Sequence, residues 1–329
     1  MAAAQALLGW LSPIPFGFYL FVNWRHYPEL RQNIQRVFLW SVLVMGVYGV
    51  VQYVVAPEWD RFWLISSGMT TSAGSPQPFG MRVWSTMNST QPFAVAMLAG
   101  LLLLFNGKDT LRIPAAVMGY LAFLLTIARS AWLGWLVGLL TLLASLKPQL
   151  QMRLIITILV MGVCVFPVTT IAPFSEMINS RLQTFSNLEN DTSANDRANT
   201  YQRTLGIALS QVLGKGIGNN VNTTADGKVE TVQMDSGILD TLFAIGWFGT
   251  IFYLGGIVLI FFNLFQGSEG SFDPFASAAR AICLGIFVQM PLSSMTLGVS
   301  GVIFWGFSGM GMAAQKYYQH QRISTLTKG

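Results

Sequence analysis

The sequence predicts an all-α membrane protein, a polytopic bundle of about nine transmembrane helices with one long external loop containing short helices. Three observations carry this. Of the 329 residues, 53% are hydrophobic. Only 10% are charged, against about 25% in a soluble domain. The apolar residues fall in long runs, and the mean hydropathy is +0.52. Such a chain cannot present a polar surface to water, so its solvent is largely lipid.

A span needs about 20 apolar residues, fewer if it is broken or re-entrant. The candidates are Gln5–Val22, Val37–Val55, Phe93–Phe105, Ile113–Ile127, Ala131–Leu146, Leu154–Ile171, Ile238–Phe265, Ala278–Leu292 and Leu297–Ala314. The first carries Pro13 and Pro15, which predict a kink. The long seventh offers a break at Gly246. The whole chain, 1–329, reads as one membrane domain, with external loops at 56–92 and 173–236. Loops of that length are usually functional or disordered. No cleavable signal peptide is expected, because the first segment lacks a basic leader region.

Charge sets the expected orientation. Short loops rich in Lys and Arg stay in the cytoplasm. Lys108/Arg112 and Lys147/Arg153 fall on one side, together with the C-terminus. That side is therefore expected to be cytoplasmic, with the N-terminus outside. The basic pI near 9.3 then reflects this bias. It is no sign of nucleic-acid binding, since basic residues and exposed aromatics are not interleaved. Cys164 and Cys283 lie in apolar runs and read as small buried residues. There is no Cys/His cluster of the kind that binds zinc.

The residues able to carry chemistry collect on the outer side. Arg129 sits between two apolar runs, where an arginine at helix centre costs ~2.5–3.5 kcal/mol on insertion scales. It reads either as a functional residue or as a snorkelling anchor at the headgroups. Arg82 lies beside Trp84 shortly before the third span. Arg197, Tyr201 and Arg203 follow a polar stretch in which Asp191 or Ser193 would cap a helix. Arginine stays charged and forks onto phosphate oxygens, so outer arginines suit a lipid-linked diphosphate. Glycosyl transfer with inversion also needs a base for the incoming hydroxyl. Asp235, where the long loop re-enters the membrane, is the best placed carboxylate. A negative charge there also suits a helix N-terminus, so a capping role is the competing reading. Asp240 lies one turn deeper. Gly214-Lys-Gly-Ile-Gly-Asn-Asn, with Gly216 and Gly218, lacks the spacing of a P-loop. It reads as a tight turn or a phosphate cradle.

Several of these stretches resemble one family. Ile127-Ala-Arg-Ser-Ala-Trp-Leu-Gly is similar to the helix hairpin that opens the core of the O-antigen ligases and polysaccharide polymerases. Arg82 and Asn88-Ser-Thr-Gln-Pro-Phe-Ala resemble the element before it. Asp191-Thr-Ser-Ala-Asn-Asp-Arg-Ala-Asn-Thr-Tyr, Gly216-Ile-Gly and Asp235-Ser-Gly-Ile-Leu…Phe243-Ala-Ile-Gly-Trp-Phe-Gly resemble later motifs, in the same order, between Gly80 and Gly249.

The resemblance implies a metal-independent inverting glycosyltransferase of the bacterial inner membrane, needing no cofactor. The donor would be an undecaprenyl-diphosphate-linked glycan, and the acceptor another lipid-linked glycan or lipid A-core. Membrane lipids would be the other partners. By resemblance, Arg129 and Arg197 would bind the diphosphate. Arg82, Tyr201, Arg203, Gly216 and Gly218 would contribute to substrate binding. Asp235 would stand where the family has a histidine base. That replacement favours a polymerase over a ligase, because His26 and His320 both fall on the cytoplasmic side. The chain also has fewer candidate spans than the family usually has, and so reads as a short member. The competing readings are a transporter or channel and a non-catalytic relative that serves as an assembly partner. Intramembrane charges of the kind ion pathways need are nearly absent.

Overall fold

The computed structural model describes residues 2–105, 109–145, 236–266 and 273–327. Between them it describes 151–152, 155, 205–206, 209–210, 212–217, 221–223 and 229–231. The architecture is a helical bundle. Among the described residues three helical segments are long and apolar enough to cross a bilayer: Trp24–Val55, Gly237–Gln266 and Pro274–Leu292. Four shorter apolar helices accompany them: Ala6–Val22, Thr90–Leu104, Arg112–Leu125 and Arg129–Ser145. The expected sixth span, Leu154–Ile171, lies outside the described residues.

The first expected span is two helices, α1 (Ala2–Leu11) and α2 (Pro13–Val22). They meet at Ser12, where Pro13 opens α2; proline fits a first turn because its missing N–H would be unpaired there anyway. The next helix, α3 (Tyr27–Val55), starts ahead of the expected Val37. Its polar first turns carry Glu29 and Arg31, which hydropathy alone does not mark as part of a span.

The segment after α3 contains α4 (Glu58–Ser66) and α5 (Thr70–Ala73). It then folds back over the end of α3. The buried Gln52 side chain accepts from the Trp84 and Ser85 amides at 3.0 and 2.8 Å, and the Phe79 amide donates to the Tyr53 carbonyl at 2.8 Å. The helix α6 (Thr90–Leu104) is buried on every side from Phe93 to Leu104, as an all-apolar helix at the middle of a bundle must be. Around it stand α7 (Arg112–Leu125) and α8 (Arg129–Ser145). A small antiparallel hairpin pairs Val221–Thr223 with Val229–Thr231. The last three helices are α9 (Gly237–Gln266), α10 (Pro274–Phe287) and α11 (Gly298–Leu326). A 3-10 turn at Met290–Leu292 follows α10.

Polar contacts define the two ends of the bundle. At one end Gln91 of α6, Ser130 of α8 and Gln289 beyond α10 meet. At the other, the buried Asp273 carboxylate accepts from Tyr27 at 2.6 Å, Arg31 at 3.2 Å and Tyr318 at 3.0 Å. It also caps α10 through the Phe275 amide at 2.9 Å. Burial and this carboxylate push the Tyr318 hydroxyl up to about 12, so it stays a donor at neutral pH. One residue sits deeper than its charge suggests. Arg280 lies two turns inside α10, buried, with Nη2 donating to Ser277 at 3.1 Å. Cys283 is buried beside Ser308, as expected; Cys164 lies outside the described residues.

Glycines bring three helix pairs into backbone contact. A methyl at Gly134 of α8 would collide with the Gly285 carbonyl of α10 and the Gln289 side chain. One at Gly17 of α2 would meet the Trp305 carbonyl of α11, and one at Gly46 of α3 the backbone of α7 at Gly119. Lipid offers no hydrophobic drive for helices to associate, so such close packing and the dispersion it gains hold them together. Gly134→Val should therefore cost at least the ~1–3 kcal/mol typical of overpacking. Gly255→Val, where nothing lies within 4 Å, should be tolerated. Thermal unfolding of the purified, detergent-solubilised variants checks this; equal melting temperatures would show that the α8–α10 contact is dispensable.

Candidate active site

The α7–α8 turn is braced from several sides. Arg82 reaches across it with three donors: Nε to the Thr126 carbonyl at 2.9 Å, Nη2 to the Ile127 carbonyl at 3.1 Å, and Nη1 back to the Ser72 carbonyl at 2.8 Å. The Val83 amide donates to the Leu125 carbonyl at 3.1 Å. Thr126 closes the turn from within. Its hydroxyl donates to the Phe123 carbonyl at 2.6 Å and accepts from the Ala128 amide at 3.2 Å. This bracing holds Ile127 at φ 53°, a conformation that β-branched residues rarely adopt.

Arg129 is the first residue of α8 and is partly buried. A cation there opposes the helix macrodipole, which favours anions at the N-terminus by about 0.3–1 kcal/mol. The helix dipole therefore does not account for its placement. A guanidinium there suits an anionic ligand. Ser130, the next residue, receives the Gln91 amide at 3.1 Å. The same amide lies 3.5 Å from the fully buried Gln289. A polar seam thus runs from the turn across α6 to α10. Beyond the 3-10 turn, Ser294 donates to the Asp240 carboxylate of α9 at 3.0 Å.

The α9 helix is broken at Gly246, with φ 69° and ψ 176°, as its sequence led one to expect. Only glycine adopts this backbone readily. The break strands carbonyls and an amide that a lipid setting would leave without partners. The segment 212–217 supplies them. The Lys215 and Gly216 amides donate to the Phe243 and Ala244 carbonyls at 2.7 and 3.1 Å, and the Phe248 amide donates to the Val212 carbonyl at 3.3 Å. The fit is close: a methyl at Gly214 or Gly246 would strike the opposing backbone. The glycine-rich stretch was read as a tight turn or a phosphate cradle. Its Lys215 and Gly216 amides point at α9.

The structure brings Arg82 and Arg129 to one turn, and Gly216 to the α9 break. Arg197, Tyr201, Arg203, Gly218 and Asp235 lie outside the described residues. Ser236, next to Asp235, is buried, and its hydroxyl accepts from the Leu239 amide at 3.4 Å. The sequence reading passed over Gln91 and Gln289. For Gln289 the available signal was an amide standing in an apolar run.

Residues 114–254 match the family model described as O-Antigen ligase. Over this segment the chain is similar to the O-antigen ligases. The match covers the α7–α8 turn, Arg129 and the broken first half of α9, and it supports a membrane glycosyltransferase-type role for the chain. No curated protein matches the chain. Arg82, which clamps the turn, lies ahead of the matched segment.

Arg82 is thus in place to position Arg129 through the backbone of the α7–α8 turn. Arg82→Lys keeps the charge but cannot reach three carbonyls, and each charge-assisted bond lost weakens the clamp by ~1.5–3 kcal/mol. A displacement of ~1 Å in a reacting group can lower turnover ~10²-fold. Glycan transfer by Arg82→Lys should fall on that scale while membrane insertion is kept. Transfer per inserted protein is the measurement, and an unchanged rate would mean that the clamp does not govern the site.

Proposed function

We propose that this chain transfers an undecaprenyl-diphosphate-linked glycan on the periplasmic side of the bacterial inner membrane, most naturally as a polysaccharide polymerase. The observation that carries the reading is Arg129. It begins a membrane helix at the end where its charge opposes the helix dipole, on a turn braced by Arg82, inside the segment that matches the O-antigen ligases. A guanidinium so placed suits a diphosphate at the membrane surface.

The reaction assigns each group a task. The acceptor hydroxyl oxygen bonds to the anomeric carbon of the donor. The bond from that carbon to the diphosphate oxygen breaks, and its electron pair leaves with the diphosphate. The hydroxyl proton passes to a carboxylate. Arg129 and Arg197 stabilise the charge that grows on the leaving diphosphate. Asp235 takes the proton, and Tyr201, Arg203 and the stretch around Gly216 and Gly218 flank the sugars. Aspartate in place of the family's histidine favours polymerisation, with a second lipid-linked repeat unit as acceptor; ligation to lipid A-core is the alternative outcome.

The orientation is part of the proposal. The Asp273 end carries Arg25, Arg31, Arg36 and Arg112, the bias of a cytoplasmic side. With the Arg129 end outside, a cysteine at Asn219 should react with an impermeant label applied to whole cells, and one at Gln149 should not. The opposite labelling would reverse the topology and remove the periplasmic site.

Two variants test the chemistry. Arg129→Lys keeps the charge but loses the fork, so most transfer activity should disappear. Asp235→Asn should lower turnover by ~10²–10⁴-fold, the usual weight of a general base. The Ser236 contact with α9 leaves the helix start in place. The readout is polymer formed per inserted protein. Normal polymer from Arg129→Lys would reduce Arg129 to a helix anchor; normal polymer from Asp235→Asn would move the base elsewhere.

A further inference from the structure

The sequence leaves residues 56–92 outside the spans, as an external loop. The helix α4 in that segment has the wrong polarity for water. Trp59, Phe62, Trp63 and Ile65 are exposed by 66, 72, 43 and 61%. Two of its three charged side chains turn inward instead. Asp60 is buried and accepts from the Tyr48 hydroxyl at 2.7 Å. Arg61 donates through Nε to the Ala56 carbonyl at 2.6 Å. The third, Glu58, is the first residue of α4, where the helix dipole favours a negative charge. A helix at a water surface hides its apolar stripe and leaves its charges out. Exposed large apolar side chains grouped on one short helix mark a surface that meets something other than water.

The place of α4 on the bundle names that medium. Tyr48, which donates to Asp60, also accepts from the Trp59 indole. It lies on α3, two turns before the end at Val55. Beside it α3 exposes Val44, Val47, Val51 and Val55, on a helix long enough to span a bilayer. The aromatic side of α4 thus continues a surface that lipid covers. Both indole N–H groups are already engaged, Trp59 with Tyr48 and Trp63 with the Asn88 carbonyl at 3.3 Å. The rings can therefore enter an apolar layer without an unmet donor.

We propose that α4 is a membrane-surface anchor. It lies in the bilayer interface at the Arg129 end, with Trp59, Phe62, Trp63 and Ile65 among the glycerol and upper acyl carbons of the phospholipids. Tryptophan and an amphipathic helix both suit that layer. The anchored segment is tied to the α7–α8 turn, because Arg82 donates to the Ser72 carbonyl as well as to Thr126 and Ile127. The leaflet thereby sets the level of the turn that carries Arg129. The anchor stands whether or not the chain transfers a glycan.

The test uses the full chain, with Cys164 and Cys283 replaced by alanine, in phosphatidylcholine vesicles. One cysteine, from Phe62→Cys, Ile65→Cys or Thr325→Cys, carries a fluorescent label. Thr325 is exposed in the last turn of α11, a helix of 29 residues, longer than the ~20 that a bilayer needs. Its label reports water. Quenching is measured with iodide on both sides of the membrane, and with phosphatidylcholine that carries a nitroxide near the headgroup. At 62 and 65 iodide should quench several-fold less than at 325, and the nitroxide lipid several-fold more. Both positions are exposed, so the melting temperature should match the parent; should one variant melt early, the other carries the test. Iodide quenching equal to that at 325 would put α4 in water and overturn the anchor. Protection from both quenchers would mean that protein, such as a second copy of the chain, covers the face, and would overturn it too.

Discussion

In hydrocarbon, helices gain little by hiding apolar side chains from one another, so a bundle must be held by close packing and by polar contacts between helices. This protein meets that constraint with glycine. Gly134 against Gly285, Gly17 against Trp305, and Gly46 against Gly119 let backbones approach until a single methyl group would part them. These contacts set the α8–α10, α2–α11 and α3–α7 pairs. Gly134 also leaves room for Gln289, which reaches Gln91 and through it Ser130. The polar seam at the Arg129 end thus depends on the glycine contact beneath it.

A second constraint comes from the backbone itself. Peptide groups inside a membrane must find partners within the protein. At three places where the described chain leaves helical geometry, another segment supplies the missing bonds. Arg82 and Val83 serve the α7–α8 turn, Gln52 serves the segment that folds over α3, and the 212–217 stretch serves the break in α9. Each irregular segment is fastened from outside itself. The turn that carries Arg129 is therefore defined by residues some 45 positions away in sequence.

The two ends of the bundle differ in chemistry. At the Arg129 end, amides, hydroxyls and the Asp240 carboxylate lie across the helix ends beside a clamped arginine. That is an arrangement in which charge is positioned. At the Asp273 end, one carboxylate gathers two tyrosines, an arginine and a helix N-terminus. That is an arrangement in which charge is consumed to join α3, α10 and α11.

Much of this was legible in the sequence. Apolar runs of about 15–20 residues can be stable only in lipid, so the helical membrane class followed from composition. The described helices lie where the runs predicted them, and the break at Gly246 followed from one glycine in a long apolar stretch. The isolation of Arg129 was also visible, because an arginine between two apolar runs is costly wherever it lies. Partners were not visible. Nothing in the order of residues says that Arg82 turns three donors onto main-chain carbonyls, or that Lys215 and Gly216 give their amides to α9. Hydropathy also stopped α3 short of its first turns and gave no partner for Arg280. It scores each residue against lipid and not against a neighbour such as Asp273 or Ser277. The sequence by itself determined where the chain is apolar and which charges are out of place. The tertiary structure decided which backbone groups those charges serve, because hydrogen bonds across helices depend on packing that no local pattern records.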